Sequence, residues 1–315
     1  MSRLVRVLGL SVVAVALLAT VSSAQQSEGV PLAFKFNRGE VQEYDVSLSG
    51  SGGLRAPDGE TAAMGVQGSV RLSFTVLDVL PDGNARLGVR MPRANLQVTI
   101  GKDQARMSFE NGQLRWFANG KEQAPPEQDI SQAPLLGVPL EFIASPKGKI
   151  IDVILPNLQG LPGLPQLPPG LQTPQLQNLG DPIFPNAPVK VGETWRQSSQ
   201  ITPIGPMAPI TITTSRTLDS YSDTGGIGLA KISGFSEVRF RMNPMTVSPG
   251  EQSVAIGVPD MRKTVTSTEF FNPTEGKLVR ADYDTSFSMR LSVGMGGQSQ
   301  EGSLEARFRT SVQGR

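Results

Sequence analysis

The sequence predicts an all-β fold: two related antiparallel β units, curved into half-barrel or barrel-like sheets and joined by a Leu/Pro-rich strap. Three observations predict it. Apolar and polar residues alternate along most of the chain, which is the period of a half-buried strand. Turn residues with defined backbone roles punctuate those runs. One order of landmarks also runs twice. Gly39-Glu40, Leu77-Asp78, Asp82-Gly83, Phe142 and Gly148-Lys149-Ile150 are followed by Gly192-Glu193, Leu218-Asp219, Asp223 with Gly225, Phe271 and Gly276-Lys277-Leu278.

Residues 1–24 read as a signal peptide. Arg3 and Arg6 supply the positive start, Leu8 to Val21 the apolar run, and Ser22-Ser23-Ala24 the small residues of a cleavage site. The apolar run is short for a helix that crosses a bilayer, so cleavage after Ala24 is expected rather than an anchor. The chain is then extracytoplasmic, periplasmic or secreted, with no transmembrane segment after cleavage.

The first β unit is assigned to residues 25–155. Val41, Tyr44, Val46 and Leu48 approximate a strand after the Gly39-Glu40 turn. Val70, Leu72, Phe74 and Val76 alternate with Arg71, Ser73 and Thr75. Pro81-Asp82-Gly83 turns the chain, with proline presetting φ and glycine accepting positive φ. Leu87, Val89 and Met91 return, and Leu96, Val98 and Ile100 are read as a further strand. Met107 and Phe109 then lead through Glu110-Asn111-Gly112 to Leu114 and Trp116, a strong hairpin signal. One helical turn is expected at 125–130.

The strap, residues 156–188, carries nine of the 25 prolines. Leu155, Leu158, Leu161, Leu164 and Leu167 recur every third residue, which places them on one edge of a polyproline II helix. A packed connector across the sheet is the simpler reading, and a lid over a groove the functional one. Thr173-Pro174 offers a cap for a short helix within it. The second unit, 189–315, has the same strand-rich pattern. Its apolar positions are Ile210 and Ile212 before Thr214, then Leu229 and Ile232, Val265 to Phe271, Leu278 to Met289, and Leu304, Ala306 and Phe308 before Thr310.

Composition restricts the chemistry. The chain has no cysteine and no histidine, which removes disulfides, thiolate and imidazole ligands, cysteine nucleophiles and any Ser-His triad. With 29 basic and 28 acidic residues there is no field to draw nucleic acid. Asp223-Thr224-Gly225 spells an aspartic-protease triplet, but no second copy exists, so it is read as a turn. Glu40 and Glu193 occupy matching places before Tyr44 and Trp195, and are read as strand-entrance charges. Lys147-Gly148-Lys149 and Glu275-Gly276-Lys277 lack the glycines and helix of a phosphate loop. Met242 and Met245, flanking Asn243-Pro244, are candidate adaptable contact residues. No catalytic residue, metal ligand or cofactor is assigned. The candidate ligand-binding residues are Leu158, Leu161, Leu164 and Leu167 of the strap, with Trp116 and Phe117 beside the hairpin.

At Gly39-Glu40…Tyr44 and Pro188-Val189-Lys190-Val191-Gly192-Glu193-Thr194-Trp195 the chain resembles exported bacterial β-rich proteins of unknown function, with a G-E-x-x-x-Y opening and a P-V-x-V-G-E-T-W segment. The resemblance implies a bacterial extracytoplasmic β-protein and no activity. Thr274-Glu275-Gly276-Lys277-Leu278 is also similar, at the level of fold analogy, to a strand signature of half-barrel lipid carriers of the cell envelope. The expected function is non-catalytic binding of a lipid-like or other hydrophobic small molecule on a concave β surface. The alternative is an envelope structural or protein-interaction module. A carboxylate-only hydrolase using Glu40, Glu193, Asp219 or Asp223 stands third.

Overall fold

The computed structural model describes residues 29–56, 59–110, 112–124, 140–154, 183–201, 210–224, 227–247, 254–295 and 298–315. Among these residues fourteen strands, all antiparallel, make one sheet: β1 (Val41–Arg55), β2 (Thr61–Val79), β3 (Ala85–Ile100), β4 (Asp103–Glu110), β5 (Gln113–Ala118), β6 (Lys121–Gln123), β7 (Leu140–Ala144), β8 (Ile150–Ile154), β9 (Thr194–Ile201), β10 (Ile210–Thr224), β11 (Ile227–Val247), β12 (Val254–Asn272), β13 (Lys277–Met295) and β14 (Gln298–Gly314). Their order is β6-β5-β4-β3-β2-β1-β14-β13-β12-β11-β10-β9, with β7 on the early part of β3 and β8 on β7. The sheet is open among the described residues: β6 and β9 are its two ends. The first strand meets the last over Tyr44–Arg55, so the two expected units share one sheet across a β1–β14 seam.

Several strands outlast their sequence signals. β3, where the pattern predicts two strands, is one, with a register shift where Pro92 falls. Pro244 and Pro259 lie at register shifts of β11 and β12 in the same way. Proline has no N–H to give a ladder, and an irregular stretch leaves residues unpaired, so each long strand continues past its proline. The signal segment 1–24 and the helical positions expected at 125–130 and 173–174 lie outside the described residues.

Strand alternation sorts the sheet into two unlike faces. One carries Tyr44, Val46, Leu48, Val66, Val70, Leu72, Phe74, Val89, Leu96, Val98 and Met107 in the first half, in register with Phe308, Phe287, Ile232 and Leu218 in the second, where Thr214, Ser236, Lys263, Ser267, Thr285 and Thr310 share it. The other carries Ser47, Ser49, Ser51, Arg71, Ser73, Arg93, Thr213, Thr266, Asp284, Arg307 and Arg309. Every well-buried strand side chain that forms the two core clusters belongs to the apolar face.

That face is the inner one. The segment leading into β1 runs between the two halves at one end of the sheet. Phe36 packs on Val76, Ala85, Leu87 and Ala144 of the first half. Leu32 and Phe34 pack on Leu218, Ala230, Ile232 and Phe271 of the second. The Phe34 and Phe36 rings are stacked at 6.4 Å. The segment leading into β9 joins them: Val30 and Val189 form a β-bridge, and Phe184 lies 4.7 Å from Phe271, ring to ring. Side chains such as Leu32, Leu218 and Ile232 are fully buried there, each stabilising by about 2 kcal/mol. The seam also closes toward this face. A Cβ at Gly52 would overlap the carbonyl oxygen of Glu305 and lie 2.8 Å from the Ala306 Cβ. Only glycine allows β14 to come so near.

The two strand openings make the same bonds. Gly39 N–H donates to Val76 and Val76 N–H to Glu40; Gly192 N–H donates to Leu218 and Leu218 N–H to Glu193. Both glycines have positive φ, 81° and 85°. Register shifts follow at matching places, between Val76/Asp78 and between Leu218/Ser220. By these bonds Leu218 corresponds to Val76, one residue away from the Leu-Asp letters that suggest the match.

Candidate functional site

Beyond the packed end, the inner face continues as an apolar surface of half-buried residues. In the first half it is lined by Leu48, Val66, Val70, Leu96, Met107 and Trp116, which occupy successive strands in register. Glycines make room for the larger neighbours on this floor. A Cβ at Gly50 would overlap the Phe308 ring, and one at Gly68 would crowd Leu96.

The expected aromatic pair is divided by the sheet. Trp116 pairs with Met107 and shares the inner face. Phe117 is the next residue in β5 and therefore points to the outer face, where the Arg106 guanidinium stacks 4.0 Å from its ring centre. Only one of the two can line an inner site. Leu158, Leu161, Leu164 and Leu167 lie outside the described residues, as does most of the strap. Its last part does pack: Phe184 is buried in the core, and Ile183 O accepts from Trp195 Nε1 at 3.0 Å.

Three of the four carboxylates considered for hydrolysis have other partners. Glu40 binds Lys277 Nζ at 2.6 Å and accepts from Asn37 at 3.0 Å. The hydrogen bond from Lys277 holds the Glu40 carboxyl below its ordinary value, and Glu40 in turn raises Lys277. Glu193 accepts from the backbone N–H of Lys190 at 2.9 Å, closing its own turn. Asp219 accepts from Ser233 Oγ on an exposed part of β10. Asp223 and Thr224 end β10 in a hairpin with β11, opposite Gly228 and Ile227. Met242 and Met245 sit in the irregular stretch of β11. No group of three potential metal ligands occurs among the described residues.

Sequence reading missed one feature of the inner face. Arg216 and Glu269 meet there at 3.8 Å with side chains 17% and 9% exposed. Arg216 stands opposite Gly234, where a Cβ would overlap the Ser267 hydroxyl. The absent side chain gives the guanidinium room to reach across β11 to β12. Arg216 Nη1 donates to Gln197 at 3.2 Å, and Ser267 Oγ donates to Glu269 at 3.2 Å. Tyr283 is in register with Ser267. Burial first, and the Glu269 charge second, raise its hydroxyl well above the ordinary range. It stays a neutral donor at any physiological pH. The available signal was phase: Arg216 alternates in step with Leu218, and Glu269 with Phe271.

No family model matches the sequence, and no curated protein matches it. Among solved structures the chain is similar to the Pseudomonas aeruginosa proteins OpdQ and OccK7 (OpdD). OpdQ is 6% identical at TM-score 0.18, over 87% of this chain and 99% of that one. OccK7 is 7% identical at TM-score 0.21, over 88% and 99%. The translocator domain of the autotransporter NalP from Neisseria meningitidis is 7% identical at TM-score 0.20, over 88% and 89%. Likeness at these scores is too slight to bear on what this chain does.

Proposed function

We propose that this chain is a non-catalytic protein of the bacterial envelope, placed outside the cytoplasm by its N-terminal signal, that holds a hydrophobic small molecule against its inner β face. The observation that carries this reading is the inner face itself. Its apolar residues run well past the packed end and remain half-buried rather than sealed. Burying such a surface against an apolar ligand is favourable by about 25 cal/mol per Å². A transmembrane barrel has the opposite polarity, with apolar residues outside facing lipid and polar residues lining the lumen. Here the face that carries the core clusters is apolar through the first half and the other face is rich in Ser, Thr and Arg, a polarity that favours a water-exposed sheet over a lipid-embedded barrel.

The reading also takes the two halves as copies of one unit. Their matching turn bonds and register shifts support this, and the copies would together form the two walls of one site.

The test is the full chain exported to a bacterial periplasm, purified without detergent and analysed by native mass spectrometry with lipid extraction. A recovered amphiphile, and saturable fluorescence of added diphenylhexatriene, are the expected results. Protein that is consistently empty and gives no saturable signal would overturn the proposal. A second reading, an interaction module, is favoured by the place of β9 at one end of the sheet among the described residues. In-cell cross-linking from that edge to one defined envelope protein would support it.

A further inference from the structure

Resting on the hydrophobic-ligand reading, we propose that the Arg216–Glu269 cluster is a recognition site for the polar head of an amphiphile, and that this head is a neutral hydrogen-bond acceptor such as an ester or amide carbonyl. The cluster stands on the inner face beside the packed end, with Leu218 and Ile232 on one side and Thr214 and Ser236 on the other. Arg216 Nε is buried and has no hydrogen-bond partner among the described residues. Its nearest carboxylate oxygen, on Glu269, is 3.8 Å away, beyond hydrogen-bond range. The Tyr283 hydroxyl lies near enough for both charges to act on it. A buried donor without an acceptor is a costly arrangement unless something supplies the acceptor.

Charge selects the kind of acceptor. Glu269 already balances Arg216, so the cluster is neutral as a whole. A carboxylate or phosphate head would bring a second negative charge into a poorly solvated place beside Glu269, which is unfavourable. A carbonyl oxygen carries the lone pairs without that charge. The tail of such a molecule then lies over the first half's wall of Leu48, Val70, Leu96 and Met107.

The experiment is fluorescence titration of the mature protein with three probes: diphenylhexatriene, which has no head, cis-parinaric acid methyl ester, and free cis-parinaric acid. Two variants are compared with the natural chain: Tyr283→Phe, and Arg216→Met combined with Glu269→Leu, which removes the pair without stranding a charge. The natural chain is expected to bind the ester more tightly than the acid at neutral pH. Tyr283→Phe should weaken the ester by about fivefold and the double variant by about tenfold, with diphenylhexatriene within about twofold of the natural chain. Loss of both probes in equal measure, or of neither, would overturn the head-site proposal while leaving the carrier reading intact. So would tighter binding of the free acid. Failure of the natural chain to bind any probe would instead remove the carrier reading itself.

Discussion

The two halves of the sheet solve one packing problem with different residues. Counting from the Gly-Glu openings, Tyr44, Phe74 and Phe142 in the first half stand where Gln197, Arg216 and Glu269 stand in the second. The first trio is an aromatic chain: Tyr44 meets Phe74 edge-on at 5.6 Å, and Phe74 meets Phe142 at 6.5 Å. The second is a polar chain of one hydrogen bond and one ion pair. Even Tyr44 differs from the second half's Tyr283. Its hydroxyl donates to Gln42 at 3.0 Å, and burial lifts it to about 12. A common backbone therefore carries an apolar wall on one side and an amphipathic wall on the other. Two identical walls would suit a symmetrical hydrocarbon; unlike walls suit a molecule with two unlike ends.

The largest effects should come from the packed end, where the halves differ in bulk. Phe271, 1% exposed, fills a place that Ala144 occupies in the first half. Phe271→Ala should cost about 3–5 kcal/mol in urea unfolding, whereas the first half has no equivalent ring to lose. A loss below about 1 kcal/mol would mean the two clusters are not one shared core.

Next comes the central contrast. Arg216→Met alone leaves Glu269 buried and uncompensated, and should cost about 3 kcal/mol. Adding Glu269→Leu should recover most of that, giving the second half an apolar wall like the first. Phe74→Leu, at the counterpart of Arg216, should cost only about 1 kcal/mol. Additive losses for Arg216 and Glu269 would show that the pair does not act as a unit.

A smaller effect is expected at the openings. Glu40→Gln breaks the link to Lys277 across the halves and should cost about 1 kcal/mol near neutral pH, given partial solvent screening. Glu193→Gln, which loses only a turn contact, should cost less. The Glu40 carboxyl is depressed in the fold, so its contribution is complete above the ordinary carboxylate value of 4.5 and disappears as the pH falls through the lowered one. Acid unfolding followed by circular dichroism should show that the natural chain and Glu40→Gln converge at low pH. Least of all, Arg115→Gln should leave the unfolding midpoint nearly unchanged, because its pairing with Glu122 lies on the solvent-exposed surface.

Much of this architecture was legible in the chain. Turn residues such as Asp82-Gly83 and Gly276-Lys277 sit where backbone conformation demands them, and alternation in Val70–Val76 identifies a strand without tertiary help. The offsets were not legible. Leu77-Asp78 and Leu218-Asp219 match as letters, yet the bulges make Val76 the partner of Leu218; a bulge slips the count by one and leaves no mark in composition. Phe142 and Phe271 likewise match by type, while strand register makes Phe271 the counterpart of Ala144, and Glu269 that of Phe142. The full length of β3, β11 and β12 was not legible either, because Pro92, Pro244 and Pro259 fall at register shifts inside strands that continue past them. The Arg216–Glu269 pair was missed because two charges 53 positions apart become neighbours only through strand register.

Everything turns on the apolar face being the inner, ligand-facing one. The chain has no cysteine, so single substitutions can carry an acrylodan label without background. Labels at Leu72→Cys and Ser73→Cys, neighbours on opposite faces, should be titrated with diphenylhexatriene in detergent-free buffer. Energy transfer or a blue shift is predicted at position 72, with little change at 73. Equal responses at both positions, or a response confined to 73, would contradict it.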